Sequence, residues 1–159
     1  MINVFVICTG NSCRSILGEA LFNHLGANRI HAFSAGSHPI GKINPDALAT
    51  LQRHELPTKG YHSQSWDEFA KQPMDIVITV CDNAAAETCP LYLNKAVRVH
   101  WGITDPSHTH GTENEIITAF EKTYRTLELR ISKMLSLPLE HMSPEQLGIE
   151  LNALAHHED

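Results

Sequence analysis

An apolar run interrupted only by Asn3, Ile2-Asn3-Val4-Phe5-Val6-Ile7, opens the chain and predicts a buried strand. Ile16, Leu17, Ala20, Leu21 and Leu25 then recur in steps of one to four and predict a helix from about Cys13 to Leu25, with Gly26 as its stop. Ile30 to Ser34 reads as a second strand ended by Ala35-Gly36. Gly41 to Asn44 is loop, and Asn44 N-caps a helix that begins at Pro45 and runs to about His54. Leu56 to Gln64 is irregular, broken by Pro57 and Gly60, and Ser65 to Glu68 has the spacing of a capping box opening a short helix. Ile76-Val77-Ile78-Thr79-Val80 is β-branched without alternation, the pattern of a strand covered on both faces. Val97 to Trp101 is a fourth strand. Thr112 to Glu115 is a second capping box, followed by a stripe of Ile116, Phe120, Tyr124, Leu127, Ile131 and Met134 that predicts a long core-packed helix ending at Pro138. Ser143-Pro144-Glu145-Gln146 starts a last helix through Ile149 and Leu151, with a frayed tail from about His156.

Strand–helix alternation with short connections and no repeat or linker predicts one α/β domain over residues 1–159, a three-layer sandwich with a parallel sheet. Ligands of such sheets bind beyond the carboxyl ends of the strands at the switch in strand order. The octet Cys8-Thr9-Gly10-Asn11-Ser12-Cys13-Arg14-Ser15 falls at such an end, between strand and helix. Backbone amides and the helix dipole converge there on an anion. A thiol at Cys8 is expected to titrate well below its free value of about 8.5. Arg14 offers a bidentate grip on a tetrahedral oxyanion, Gly10 and Asn11 tolerate left-handed backbone, and Ser15 is expected to donate its hydroxyl to the thiolate. The plain alternative is a small buried cysteine beside an ordinary Gly-Asn turn.

Composition narrows the partners. A chain of 159 residues with 42% hydrophobic and 19% charged positions suits a globular protein with a sizeable core. A formal net charge of -6 without Lys/Arg runs argues against nucleic acid or an anionic membrane, and favours a small oxyanion at Arg14. No secretory leader pattern or membrane-length apolar run is present, so the chain is expected to be cytoplasmic. Its four cysteines are then catalytic or redox thiols more readily than structural disulfides.

The octet resembles the signature loop of the low-molecular-weight protein tyrosine phosphatase superfamily: Cys, five residues, Arg, then Ser. Ser34-Ala35-Gly36, Asn44-Pro45-Asp46-Ala47, Ser63-Gln64-Ser65, His100-Trp101-Gly102 and Asp105-Pro106 resemble landmarks of its arsenate reductase branch. The resemblance implies a low-molecular-weight phosphatase-like fold, a four-stranded parallel sheet in the order 2-1-3-4 flanked by helices. It also implies an oxyanion-binding loop of Thr9, Gly10, Asn11, Ser12, Cys13 and Arg14. Cys8 would attack arsenate while Asp105 protonates the departing oxygen. Cys81 would attack Cys8, expelling arsenite, and Cys89 would carry the oxidation outward as a Cys81–Cys89 disulfide. No cofactor is bound; an external thiol reductant, thioredoxin or glutathione with glutaredoxin, completes the cycle.

Two more features bear on this reading. Seven residues separate Cys81 from Cys89, one more than thioredoxin-coupled members usually have, and Cys81 to Ala85 looks closer to members served by glutathione and glutaredoxin. That spacing is also poor for zinc, whose paired ligands usually stand about two to four residues apart. Asn11, Glu19, Ser34 and Asp67 match positions that hold potassium in some members, with ordinary hydrogen bonding as the alternative. Ser107 and His108 follow Asp105-Pro106 where phosphatases of the family tend to carry tyrosines, which disfavours a bulky aryl substrate. Cys13 is read as a spectator that packs or forms an off-path disulfide with Cys8. The rivals are a tyrosine phosphatase using Cys8, Arg14 and Asp105 but not Cys81, and a non-enzymatic thiol or metal-binding module.

Overall fold

The computed structural model describes residues 1–82, 84 and 89–156. Residues 83 and 85–88, most of the stretch between Cys81 and Cys89, and the tail beyond His156 fall outside the described residues. Four strands, β1 (Ile2–Ile7), β2 (Ile30–Ala35), β3 (Ile76–Thr79) and β4 (Val97–His100), form one parallel sheet in the order β2-β1-β3-β4. Among the described residues the named α-helices are α1 (Arg14–Leu25), α2 (Pro45–Arg53), α3 (Glu113–Leu135) and α4 (Pro144–Ala153). All of β3 is buried, as its uninterrupted β-branched run requires.

Alternation along β1 sorts the two faces. Val6 meets α1 so closely that a Cβ on Gly18 would lie 3.1 Å from its side chain. Phe5 points the other way and meets Phe69 at 5.0 Å, with Phe33 on the next strand 5.6 Å from the same ring. Helix α3 packs on α1 and α2, and its stripe from Phe120 to Met134 is buried, while Ile116 is only half-buried. At the sheet's outer edge Asn152 of α4 accepts from His100 N at 2.9 Å and donates to Arg98 O at 3.2 Å. The helix thus occupies backbone groups that an open edge strand would expose.

Caps at Asn44, Thr112 and Ser143 stand where the sequence places them; the last two are reciprocal boxes. The box at Ser65 opens only one 3₁₀ turn, Trp66–Phe69. Pro138 does not end the long helix, which stops three residues earlier at Leu135. There Arg29 donates to Leu135 O at 2.5 Å and to Leu137 O at 3.0 Å, and also pairs with Glu140. Terminal carbonyls with a guanidinium partner need no further turn. Arg130 lies inside the α3 stripe at 1% exposure and donates to Gly102 O and Ala155 O.

Candidate active site

Parallel pairing sets the ends of three strands level. Ile7 stands opposite Ala35 and Thr79, and Thr79 opposite His100. The ladder runs one step further: Cys8 N donates to Ala35 O, Val80 N to Ile7 O, and Ile103 N to Val80 O. Cys8, Cys81 and the Gly102–Asp105 loop are therefore delivered to one edge. Gly36 lets the nucleophile loop lie against β2, since a Cβ there would stand 2.3 Å from Thr9 O.

The loop is held from outside by its carbonyls. Thr9 O accepts from His38 N, Gly10 O from Ile40 N and Ser63 Oγ, and Ser12 O from Asn44 N. The amides of Asn11, Ser12 and Cys13 carry no intramolecular hydrogen bond among the described residues, so donors remain for an anion. Asn11 is the hub and takes the left-handed conformation at φ 44. Its side chain donates to Ser15 Oγ at 2.8 Å and Ser34 Oγ at 3.0 Å and accepts from Gln64 N at 2.9 Å. Gly10 does not need positive φ; it makes room for Ile40 instead. Ser15 Oγ accepts from Asn11, and among the described residues no hydrogen bond from it to Cys8, the expected donation, is made.

Arg14 turns its fork toward the acid loop, donating from Nη1 to Ile103 O at 2.8 Å and pairing through Nη2 with Asp105 Oδ2 at 3.4 Å. Its Nε is buried without a partner, a cost that a bound oxyanion would remove. A cavity of about 370 Å³ lies among Arg14, Asp82, Gly102, Thr104 and Asp105. Burial pushes the Asp105 carboxyl up, but the Ser107 hydroxyl and amide, Arg14 and His108 outweigh it and hold Asp105 below the ordinary carboxylate value. With no anion bound it is a carboxylate.

The two sulfurs shift in opposite directions. Cys81 is pulled down to about 5, first by its pairing with Cys8 and then, against burial, by the Thr9 hydroxyl, the Thr9 amide and the Ala84 amide. Cys8 is pushed up by its pairing with Cys81 and by burial, while Arg14 and the Gly10 amide pull against this. A low-titrating sulfur was expected at Cys8; the downward shift falls on Cys81. Cys13 is buried and also pushed up, by desolvation first and then by the charge of Asp105. All four cysteines are free thiols, and Cys89 lines a separate cavity over β3 and β4.

The family model for low molecular weight phosphotyrosine protein phosphatase spans residues 3–147. The chain belongs to this family. Among phosphatase-family relatives, the arsenate reductase of Halalkalibacterium halodurans is 31% identical over 128 residues, covering 80% of this chain and 91% of that protein. The arsenate reductase of Bacillus subtilis is 31% identical over 119 residues, 75% and 84% of the two chains. A solved arsenate reductase in the phosphate binding state superposes with TM-score 0.67 at 25% identity, covering 84% of this chain and 98% of its own. The tyrosine phosphatase Wzb from Escherichia coli K30 in complex with sulphate shares the fold, with TM-score 0.68 at 23% identity over 86% and 98% of the chains.

On this phosphatase-family scaffold the residues predicted from sequence separate into groups. Cys8, Arg14, Ser15, Cys81, Asp105 and the loop Thr9–Cys13 meet at the sheet edge; Cys89 stands apart. Of the four suggested potassium ligands, Asn11, Ser34 and Glu19 are one hydrogen-bonded chain, Ser34 donating to Glu19 Oε1 at 2.5 Å. Asp67 shares no hydrogen bond with them; its own amide is capped by Ser65. Burial pushes Glu19 up to about 7, against the hydrogen bond from Ser34. Sequence reading missed the donation of Thr9 to Cys81, the seating of the acid loop on Arg130, and a chain of hydrogen bonds through His100. Their partners lie tens of residues apart, and only the His100-Trp101-Gly102 landmark hinted at them.

Proposed function

We propose that this chain reduces arsenate to arsenite through a cysteine relay. The observation that carries the reading is the second sulfur: Cys81 Sγ reaches the nucleophile loop, 3.3 Å from the amide of Thr9 next to Cys8, and is also held by the Ala84 amide. A phosphatase needs one thiol and an acid, and a buried thiolate beside its nucleophile would serve no step of phosphoester hydrolysis. Cys8 passes its proton to Cys81 and attacks arsenic(V), held by the loop amides and Arg14. Asp105 protonates the oxygen that leaves as water. An arriving anion competes for Arg14 and adds negative charge beside Asp105, and both effects raise the carboxyl toward a protonated general acid. Cys81, deprotonated again, attacks Cys8 Sγ; the S–As electron pair stays on arsenic, which departs as arsenite, and a Cys8–Cys81 disulfide remains. Two electrons have moved from two thiols to arsenic. Cys89 exchanges into this disulfide, and thioredoxin or glutathione with glutaredoxin reduces the product. A thioredoxin-dependent arsenate reductase from Corynebacterium glutamicum, 26% identical with TM-score 0.61, supports the first reductant.

The test is NADPH oxidation dependent on arsenate, run separately with the thioredoxin and the glutathione–glutaredoxin systems, on wild type and Cys81→Ser. Wild type turns over with at least one system and Cys81→Ser yields no more than one adduct per chain. A Cys81→Ser protein that keeps full multiple turnover, or a wild type active only on aryl phosphates, refutes the reading.

A further inference from the structure

His100, the last residue of β4, bonds through Nδ1 to Thr79 Oγ1 at 2.8 Å and through Nε2 to Asp82 Oδ1 at 2.9 Å. A carboxylate only accepts, so Nε2 carries the hydrogen; in the neutral ring Nδ1 then accepts from the Thr79 hydroxyl, whose other partner, Val99 O, lies farther away at 3.4 Å. The imidazole has little freedom. Its backbone amide is fixed by Asn152, and a Cβ on Gly102 would stand 3.0 Å from Nε2 and 3.2 Å from Asp82 Oδ1. Thr79 and His100 line a cavity of about 170 Å³ that also contains Ala84, Arg98 and Cys89. Cys89 is a free, half-buried thiol. Its neighbour Tyr92 donates its hydroxyl to Trp66 O, which tethers the end of this segment. An acid–base chain of carboxylate, imidazole and hydroxyl thus ends in the cavity of a thiol for which the relay names no proton acceptor.

We infer that Thr79, His100 and Asp82 accept the proton of Cys89 when it resolves the Cys8–Cys81 disulfide, an inference that rests on the relay proposed above. Thr79 Oγ1 takes the proton from Cys89 Sγ as it passes its own to His100 Nδ1, and Asp82 stabilises the imidazolium. Cys89 Sγ bonds to Cys81 Sγ, the Cys8–Cys81 bond breaks, and its electron pair leaves on Cys8 as thiolate. No net oxidation occurs, since one disulfide replaces another. The charged and titratable groups around His100 are Asp82 after β3, Arg98 on β4 itself and Cys89; α4 contributes the uncharged Asn152. Thr79 and His100 touch the reacting proton, whereas Asp82 is a positioning residue.

The test follows both disulfides in time. Reduced wild type, His100→Gln and Thr79→Val are mixed with arsenate without a reductant from pH 6 to 9, quenched and alkylated at intervals, and peptide-mapped. Formation of Cys8–Cys81 stays within about twofold of wild type, which also reports that the variants are folded. Conversion to Cys81–Cys89 slows about 100-fold near neutrality, the low end of general-base effects. The gap narrows toward the alkaline end of the range, where hydroxide from solvent can take the proton instead. Conversion at the wild-type rate and pH dependence in both variants overturns the inference, as does equal slowing of both steps, or a wild type whose Cys89 never enters a disulfide although arsenite forms. A wild type that makes neither arsenite nor a Cys8–Cys81 disulfide refutes the relay, and the inference falls with it.

Discussion

Replacing Gly36 by Ala tests how firmly the nucleophile loop depends on the neighbouring strand. The added Cβ would lie 2.3 Å from Thr9 O, 2.8 Å from Cys8 O and 3.0 Å from Thr9 C, all backbone, where ordinary contact begins near 3.4 Å. No flexible side chain yields there, so Cys8-Thr9 must retreat by about 1 Å or β2 must bend. Overpacking of this kind costs about 1–3 kcal/mol. At roughly 2–4 °C per kcal/mol for a chain of this size, Tm falls by about 2–12 °C. A 1 Å displacement of the attacking atom can cost about 100-fold in rate, so kcat/KM for arsenate drops far more than the stability loss suggests. Thermal melts and steady-state kinetics on one preparation separate the two effects. A Gly36→Ala protein with wild-type Tm and kcat/KM shows that the close approach of Gly36 to Thr9 does not position the nucleophile.

Three other outcomes are expected. Thr9→Val removes one hydroxyl from Cys81 Sγ but keeps the amide, so on a Cys8→Ser background the midpoint for Cys81 alkylation rises by about 1 pH unit relative to Cys8→Ser alone; an unmoved midpoint, read by mass spectrometry, counts against that hydrogen bond. Arg14→Lys loses the buried Nε and the planar fork, so protection by phosphate against Cys8 alkylation weakens about 10-fold or more; unchanged protection means that Arg14 does not bind the anion. Glu19 titrates at about 7 in the folded chain against about 4.3 unfolded, so its stabilising contribution is complete below about 4.3 and lost as pH rises through 7. Glu19→Gln therefore melts about 1–3 kcal/mol more stably than wild type at pH 8, relative to their difference at pH 4. Potassium held by Asn11, Glu19, Ser34 and Asp67 would offset the wild-type loss, which potassium and tetramethylammonium buffers distinguish.

Features written in consecutive residues were legible before the structure. Ile76–Thr79 had to be covered on both faces, and the caps at Asn44, Thr112 and Ser143 sit within three residues of what they cap. The octet marked a turn between strand and helix, bracketed by Cys8 and Arg14, and that is where the loop lies. Features made by distant groups were not legible. The end of α3 is set by Arg29, 106 residues before Leu135, so Pro138 misled. Arg130 reads as one more helix cation, yet it is buried. The downward shift of Cys81 depends in part on Thr9 meeting it across 72 residues, and no local spacing encodes that.

With Cys81 pulled down and Cys8 pushed up, the sulfur that attacks is the one less ready to ionise. A stray oxidant or alkylating agent meets Cys8 buried, and a thiol that keeps its proton is the slower form toward electrophiles.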